Sequence, residues 1–101
     1  MPVTHLVLWE LADPAATSAE LLAKLQQLRS GFSAILRFDA TPVSSPDTGF
    51  NFVLHSEFTD WQSLKEYMQA PAHIELVEYI RTIAIRKNII DYEQENNENK
   101  T

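Results

Sequence analysis

The first strand-like segment limits the folds open to this chain, because it is apolar on both of its faces. Residues 3–11 read VTHLVLWEL, and Leu6, Val7, Leu8 and Trp9 follow one another without a polar residue. Alternate side chains of a strand lie on opposite sides of a sheet, so a strand of this kind is covered on both sides. A chain of 101 residues has room for one domain and for only a thin core, so a partner subunit would help to cover it.

A helix is predicted after this strand, which Asp13 and Pro14 end. Thr17 and Glu20 fit a capping box, and Gly31 fits a C-terminal cap in the left-handed conformation. These signals predict a helix over residues 17–30. Its apolar stripe repeats at three- and four-residue spacing and consists of Leu21, Leu22, Leu25 and Leu28.

Two further strands are predicted from the alternation of apolar and polar residues. Residues 33–43 read SAILRFDATPV, and residues 50–58 read FNFVLHSEF with a clear period of two. The segment between them, residues 44–49, is rich in serine, proline and glycine and predicts a loop. The two strands therefore form a hairpin, in which Pro42 is tolerated near a strand end or at a sheet edge.

The second half of the chain predicts two helical segments and a last strand. Apolar spacing predicts a helix that begins after Thr59, read as part of a capping box, and ends near Gln69. Pro71 breaks that helix and suits the first turn of another, which continues to about Arg81. Residues 83–92 read IAIRKNIIDY, a β-branched strand.

The order of elements is β-α-β-β-α-β, which indicates an α+β, ferredoxin-like fold with an antiparallel sheet and its helices on one face. The other face carries Leu6, Leu8 and Val53, so we expect a homodimer that covers it. Residues 1–93 are predicted to form one domain. Residues 94–101, QENNENKT, are predicted to be a disordered polar tail.

Composition and charge exclude several classes of function. A net charge of -6 argues against nucleic acid as a partner. The absence of cysteine excludes disulfides and thiolate metal sites. No membrane span and no signal-peptide pattern is evident, which predicts a soluble, cytoplasmic protein. The histidine spacing gives no metal signature, and two glycines cannot build a phosphate loop, so we expect no metal and no cofactor.

Four segments carry a resemblance to a known family. They are residues 4–8 (THLVL), residues 58–67 (FTDWQSLKEY), residues 70–73 (APAH) and residues 90–93 (IDYE). Together they resemble the stress-responsive A/B barrel (Dabb) domain family over residues 3–93. The resemblance implies a ferredoxin-like homodimer whose two sheets face each other as an α/β barrel.

The resemblance also implies candidate catalytic residues. The family includes a plant polyketide cyclase, to which this chain is distantly similar. In that enzyme a tyrosine and a histidine serve an aldol cyclisation, and those positions fall on Tyr67 and His73, with His5 in the same cavity. A further cavity histidine of the cyclase corresponds to Phe52 here.

Strand alternation gives a candidate ligand-binding face. The face of the first strand that carries His5 also carries two apolar residues, and it would meet alternate residues of the third strand. His55 has the opposite parity, so we expect it at the dimer side or in solvent. The predicted lining consists of Val7, Trp9, Phe50, Phe52 and Leu54.

Two functional interpretations remain open at this level. One is a homodimeric domain of undetermined biochemical role that binds a small carbonyl or aromatic ligand between sheet and helices. The other is a cofactor-independent polyketide cyclase, isomerase or monooxygenase-like enzyme that uses Tyr67 and His73 as acid–base groups. Both residues also have a structural interpretation, as a core aromatic ring and as a hydrogen-bonded core imidazole.

Overall fold

The computed structural model describes residues 1–94, and within them the elements follow the predicted order. They are β1 (Val3–Leu11), α1 (Pro14–Arg29), β2 (Ile35–Pro42), β3 (Phe52–Phe58), α2 (Trp61–Gln69), α3 (Pro71–Arg81) and β4 (Ala84–Glu93). The predicted tail, residues 94–101, lies outside the described residues except for Gln94. The Gln94 amide donates to the Pro2 carbonyl, so this residue still adjoins the sheet.

The strands form one antiparallel sheet in the order β2-β3-β1-β4, with β3 and β1 in the centre. β2 and β3 form the predicted hairpin, although both are shorter than the patterns over residues 33–43 and 50–58 indicated. Because β1 pairs with both β3 and β4, His5 lies beside Ser56 on one side and Asp91 on the other. The register thus joins three distant parts of the chain at His5.

The helices cover one face of the sheet, as the alternation predicted. Val7 of β1, Leu54 of β3 and Leu25 of α1 are all buried in the layer between sheet and helices. Leu6 and Val53 have the opposite parity and are only partly buried. The core cluster consists of Val3, Val7, Trp9, Leu11, Leu21, Leu25, Leu28, Ile35, Phe52, Leu54, Phe58, Leu64, Tyr67, Leu76 and Ile80.

The first helix begins earlier than predicted, because Asp13 and not Thr17 is its cap. The Asp13 carboxylate accepts a hydrogen bond from the Ala16 amide. Pro14 takes the first helical position, where its missing N–H leaves no gap in the hydrogen bonding. The Thr17 hydroxyl donates to the Asp13 carbonyl from within the first turn. The predicted range of residues 17–30 is therefore corrected to Pro14–Arg29.

Asp60 caps α2 in the same way, where the sequence pattern indicated Thr59. Its carboxylate accepts hydrogen bonds from the amide and the hydroxyl of Ser63. These two bonds hold the pKa of Asp60 below its ordinary value. Both corrections have one cause: aspartate is as good a helix cap as threonine, and the pattern alone does not decide between neighbouring candidates.

Gly31 does not adopt the left-handed conformation that the sequence predicted for it. Instead α1 ends through Ser30 in a right-handed conformation, and the Ser30 amide donates to the Gln26 carbonyl. Gly49 is the glycine with positive φ, at 83°. A Cβ on Gly49 would lie 3.1 Å from Arg86 Nη2, so both backbone and space favour glycine there.

We expect Gly49→Ala to lower the free energy of unfolding by about 1 kcal/mol or more, because alanine is strained at this φ. Gly31→Ala is expected to raise it by up to about 1 kcal/mol, because alanine restricts the unfolded chain. At Gly31 the nearest atom to an added Cβ would be the Leu28 carbonyl oxygen at 3.6 Å, an ordinary contact. Urea unfolding of both variants measures the effects, and equal losses would contradict this assignment.

The sheet face away from the helices is open and apolar, and we call it the open sheet face. Ile90 and Tyr92 of β4 are 52% and 46% exposed on it. Leu6 of β1 pairs with Ile90 on one side and with His55 on the other, so His55 shares this face, as its parity predicted. A patch of this kind is typical of an association surface. It is defined here by Leu6, Leu8, Val53, Ile90 and Tyr92.

Candidate functional site

Three side chains singled out by the sequence meet between the sheet and the helices. His5 comes from β1, Tyr67 from α2 and His73 from the first turn of α3, and all three line one cavity. The Tyr67 ring is close to both imidazoles, with its centroid 6.1 Å from that of His5 and 4.7 Å from that of His73. The candidate site is thus assembled from three separate elements.

A bend at Ala70 allows Tyr67 and His73 to face the same cavity. Ala70 has an extended backbone, with φ -64° and ψ 137°, between the end of α2 and the start of α3. Pro71 explains this conformation, since a proline disfavours the helical region for the residue before it. The chain therefore changes direction between the two helices, and side chains six positions apart converge.

His5 is held by a carboxylate that the sequence interpretation did not assign to the site. His5 is 2% exposed, and its Nδ1 lies 2.5 Å from Asp91 Oδ1. With Nδ1–H donated to this carboxylate, Nε2 of the neutral ring carries the lone pair. The Ser56 hydroxyl donates to the His5 carbonyl and fixes the strand at this point. The sequence pattern places Asp91 in the last strand. Its position beside His5 depends on the register of the sheet, which a local pattern does not contain.

His73 is partly buried, and its Nδ1 is sealed from solvent without a hydrogen-bond partner in residues 1–94. Burial lowers the pKa of His73 below 6.5 and the nearby His5 lowers it further, while a backbone hydrogen bond at Met68 acts in the opposite direction. The imidazole is therefore neutral at pH 7 and can accept a proton. A buried polar atom without a partner costs about 1–3 kcal/mol.

Tyr67 is a buried core ring that also lines the cavity. It is 1% exposed, and its ring packs 4.9 Å from Phe58 and 5.2 Å from Phe32, centroid to centroid. Burial raises the pKa of the Tyr67 phenol far above its ordinary value, because the phenolate would lose its hydration. The hydroxyl thus stays protonated near neutral pH and can donate a hydrogen bond to a ligand oxygen.

The cavity is small, with a volume of about 50 Å³. That is space for a few water molecules, well below the several hundred Å³ of pockets for drug-sized ligands. Phe50 and Phe52, both predicted to line it, lie elsewhere: Phe52 is fully buried against Trp9, and Phe50 packs under the Arg86 guanidinium. The full lining is His5, Val7, Trp9, Leu25, Leu54, Tyr67, Met68, His73, Leu76, Ile80, Lys87 and Ile89.

The rest of the described surface offers no comparable chemistry. A larger open groove of about 550 Å³ runs between α1 and α3, past Lys24 and Tyr79, but it contains none of the three central side chains. Residues 1–94 hold no group of three or more histidines and carboxylates arranged to bind a metal ion. No helix in this part of the chain has both the length and the apolar character needed to span a bilayer.

Solved structures with the same fold include enzymes and proteins without a known role. A dimeric ferredoxin-like protein of unknown function from Bacteroides fragilis is 22% identical, with a TM-score of 0.80 over 92% of this chain and 96% of that one. The hydroxynitrile lyase of Passiflora edulis is 13% identical, with a TM-score of 0.80 over 94% of both chains. SnoaB, a cofactor-independent oxygenase from Streptomyces nogalater, is 11% identical, with a TM-score of 0.78 over 98% of both chains. At these identities the likeness establishes the fold alone.

Sequence comparison identifies the family. No curated protein is significantly similar to the chain. The family model of the stress responsive A/B barrel domain, however, matches residues 3–94, which include all four segments that carried the resemblance. The match covers β1 through β4 and therefore the whole of the described sheet. The chain belongs to the stress responsive A/B barrel domain (Dabb) family.

Proposed function

We propose that this domain binds a small carbonyl compound in the cavity and moves a proton at the carbon next to the carbonyl group. The observation that carries the proposal is the buried, unpartnered Nδ1 of His73, a residue that lines the same cavity as Tyr67 and His5. A neutral base and a protonated donor side by side are the two groups that enolisation needs.

Each group has a defined role in this reaction. His73 removes a proton from the α carbon, the C–H electron pair moves into the new C=C bond, and the carbonyl π pair moves onto oxygen. Tyr67 donates a hydrogen bond to that oxygen as its negative charge develops. The Asp91 carboxylate fixes the orientation of the His5 ring, and this ring lines the same cavity as Tyr67 and His73. Return of the proton from His73 to a different carbon of the conjugated enolate completes an isomerisation. Alternatively, the enolate carbon attacks a second carbonyl carbon, and the new alkoxide takes the proton back from His73, which completes an aldol cyclisation.

We propose a homodimer as the functional unit, with the open sheet faces of two copies packed together as an α/β barrel. The exposure of Ile90 and Tyr92 supports this, as does the dimeric state of the similar protein from Bacteroides fragilis. The thin core of a domain this size gains from a second sheet. The cytoplasmic location expected from the sequence stays a prediction.

Ligand binding without turnover is the second candidate, and the cavity volume of about 50 Å³ favours it over the cyclase and oxygenase alternatives. Polyketide or aromatic substrates need more space than the cavity offers in this arrangement. A short carbonyl compound would enter with its acyl end and leave its remainder at the mouth. The size of the cavity therefore selects short substrates in both candidates.

Proton exchange in D2O tests the proposal directly. Two probes of equal heavy-atom count, 4-oxopentanoate and 5-methylhexan-2-one, are followed by proton NMR as the methylene next to the carbonyl takes up deuterium. We expect the protein to accelerate exchange of at least one probe. His73→Leu is expected to lower that rate by about 100-fold or more, the usual contribution of a general base. The rate should hold down to about pH 6.5 and fall below it, because burial lowers the pKa of His73.

His55→Leu is the matched control, because His55 lies on the open sheet face away from the cavity. The stability of His73→Leu is a second readout. Below pH 6.5, His73 binds a proton more readily in the unfolded chain than in the folded protein. The stability of the wild type therefore decreases as the pH is lowered through this range. His73→Leu should lack this part of the decrease in stability, and at pH 7 it should be at least as stable as the wild type. Equal exchange by wild type and His73→Leu would leave binding without turnover as the remaining candidate.

A further inference from the structure

One end of the cavity is built from hydrogen-bond donors. Trp9 is 4% exposed and lines the cavity, and its Nε1 is sealed from solvent with no partner in residues 1–94. Lys87 also lines the cavity and pairs with Trp9 across β1 and β4, which places both side chains on the helix side of the sheet. An indole N–H and an ammonium group donate hydrogen bonds and accept none. A ligand atom placed here must therefore be an acceptor.

The charge at this end is uncompensated within the described part of the chain. None of its ion pairs includes Lys87. Asp91, on the same side of β4, is engaged by His5, and Glu10 is engaged by Arg86. Lys24, Arg29 and Lys65 are also outside the ion pairs of residues 1–94, but Lys87 is the one of these four cations that lines the cavity. Lys87 is exposed, which puts this charge where the cavity reaches solvent.

We propose that Trp9 and Lys87 bind a carboxylate of the ligand, so that the compound this site takes is a short oxo acid. The inference rests on the proposed function and names its substrate class. Along β1 and β4 the paired residues run from His5 and Asp91, through an apolar pair, to Trp9 and Lys87. The two pairs lie four residues apart, about 13 Å along the strand backbone, but Lys87 and His73 line the same small cavity, and Lys87 is near enough to lower the pKa of His73. A carbonyl group, a short methylene spacer and a carboxylate reproduce this order.

The two tryptophans of the chain allow the site to be observed directly. In a nitrogen-15 NMR spectrum each indole N–H gives one signal, and Trp61→Phe assigns them. Trp61 lies outside the cavity, where its Nε1 donates to Glu93. We expect 4-oxopentanoate to shift the Trp9 signal in a saturable way and to leave the Trp61 signal in place. The neutral 5-methylhexan-2-one should bind about tenfold more weakly or worse, since a charged hydrogen bond is lost.

Variants of Lys87 test the effect of its charge on binding separately from any effect on folding. Lys87→Gln is expected to weaken 4-oxopentanoate binding by about tenfold or more while leaving 5-methylhexan-2-one binding unchanged. Lys87→Arg keeps the charge and should keep most of the affinity. Lys65→Gln, at an exposed position of α2, is the matched control and should have no effect. Because Lys87 is exposed, its variants are expected to fold, and the test does not depend on changing the buried Trp9.

Each alternative outcome decides the matter. Equal binding of both probes, with Lys87→Gln unchanged, overturns the carboxylate site but leaves the proposed carbonyl chemistry standing. Equal shifts of the Trp9 and Trp61 signals indicate nonspecific association and also overturn it. If neither probe binds and neither exchanges its methylene protons in D2O, the proposed function falls together with the inference.

Discussion

Tyr67→Ala is expected to lower the free energy of unfolding by about 3–5 kcal/mol, the usual cost of deleting a fully buried aromatic ring. Tyr67 is 1% exposed and its ring contacts the rings of four residues from four different segments: His5, Phe32, Phe58 and His73. Removing it would leave a void at the junction of β1, β3, α2 and α3 that rigid neighbours cannot fill. Thermal and urea unfolding measure the loss, which is a large share of the stability of a domain this size.

Tyr67→Phe separates the ring from its hydroxyl. The phenylalanine keeps the packing, so stability should change by less than about 1 kcal/mol. Proton exchange of the carbonyl probes should still fall by about 100-fold, the usual loss when one oxyanion donor is removed. If Tyr67→Phe exchanges as fast as wild type, the phenol is a core group alone, and the proposed role of Tyr67 is wrong.

Ile90→Glu is expected to raise the dissociation constant of the homodimer by about 100-fold or more, because an unpaired carboxylate buried in an interface costs several kcal/mol. Two-fold symmetry doubles the effect, since each copy brings its own charge to the interface. Sedimentation or light scattering across a dilution series measures the change. Ile90 is 52% exposed within one copy of the chain, so the variant should fold as a monomer.

Ile74→Glu is an unusually close control for this experiment. Ile74 is the same residue type and is 50% exposed, but it lies on α3, on the opposite side of the sheet. Any general effect of exchanging an exposed isoleucine for glutamate is common to both variants. Dimers that survive Ile90→Glu and dissociate with Ile74→Glu would place the interface on the helices, contrary to our proposal.

Much of the fold could be predicted because strands and helices leave periodic marks in the sequence. The period-two pattern of β3 and the doubly apolar β1 predict Val7 and Trp9 on the helix side and Leu6 on the open sheet face. Pro71 predicted the division of the second helical region. These are local properties of the chain, and local patterns suffice to determine them.

Other features depend on tertiary distances that no local pattern contains. Asp91 became part of the site because strand order and register set it beside His5. The absence of Phe50 and Phe52 from the cavity lining follows from how the rings pack: Phe52 has the predicted parity but is buried by Trp9. Parity gives the face on which a side chain lies, whereas the room left beside it depends on the volumes of all its neighbours.

The contact between His5 and Asp91 joins residues 86 positions apart, and this has a consequence for biosynthesis. On a ribosome that adds about 5–20 residues per second, β1 waits several seconds before β4 emerges. During that time the polar end of the cavity has no carboxylate, and one edge of β1 has no strand beside it. Closing so long a loop also costs about 4 kcal/mol of chain entropy. The proposed acid–base chemistry therefore requires the complete sheet, and we expect partly made chains to be inactive.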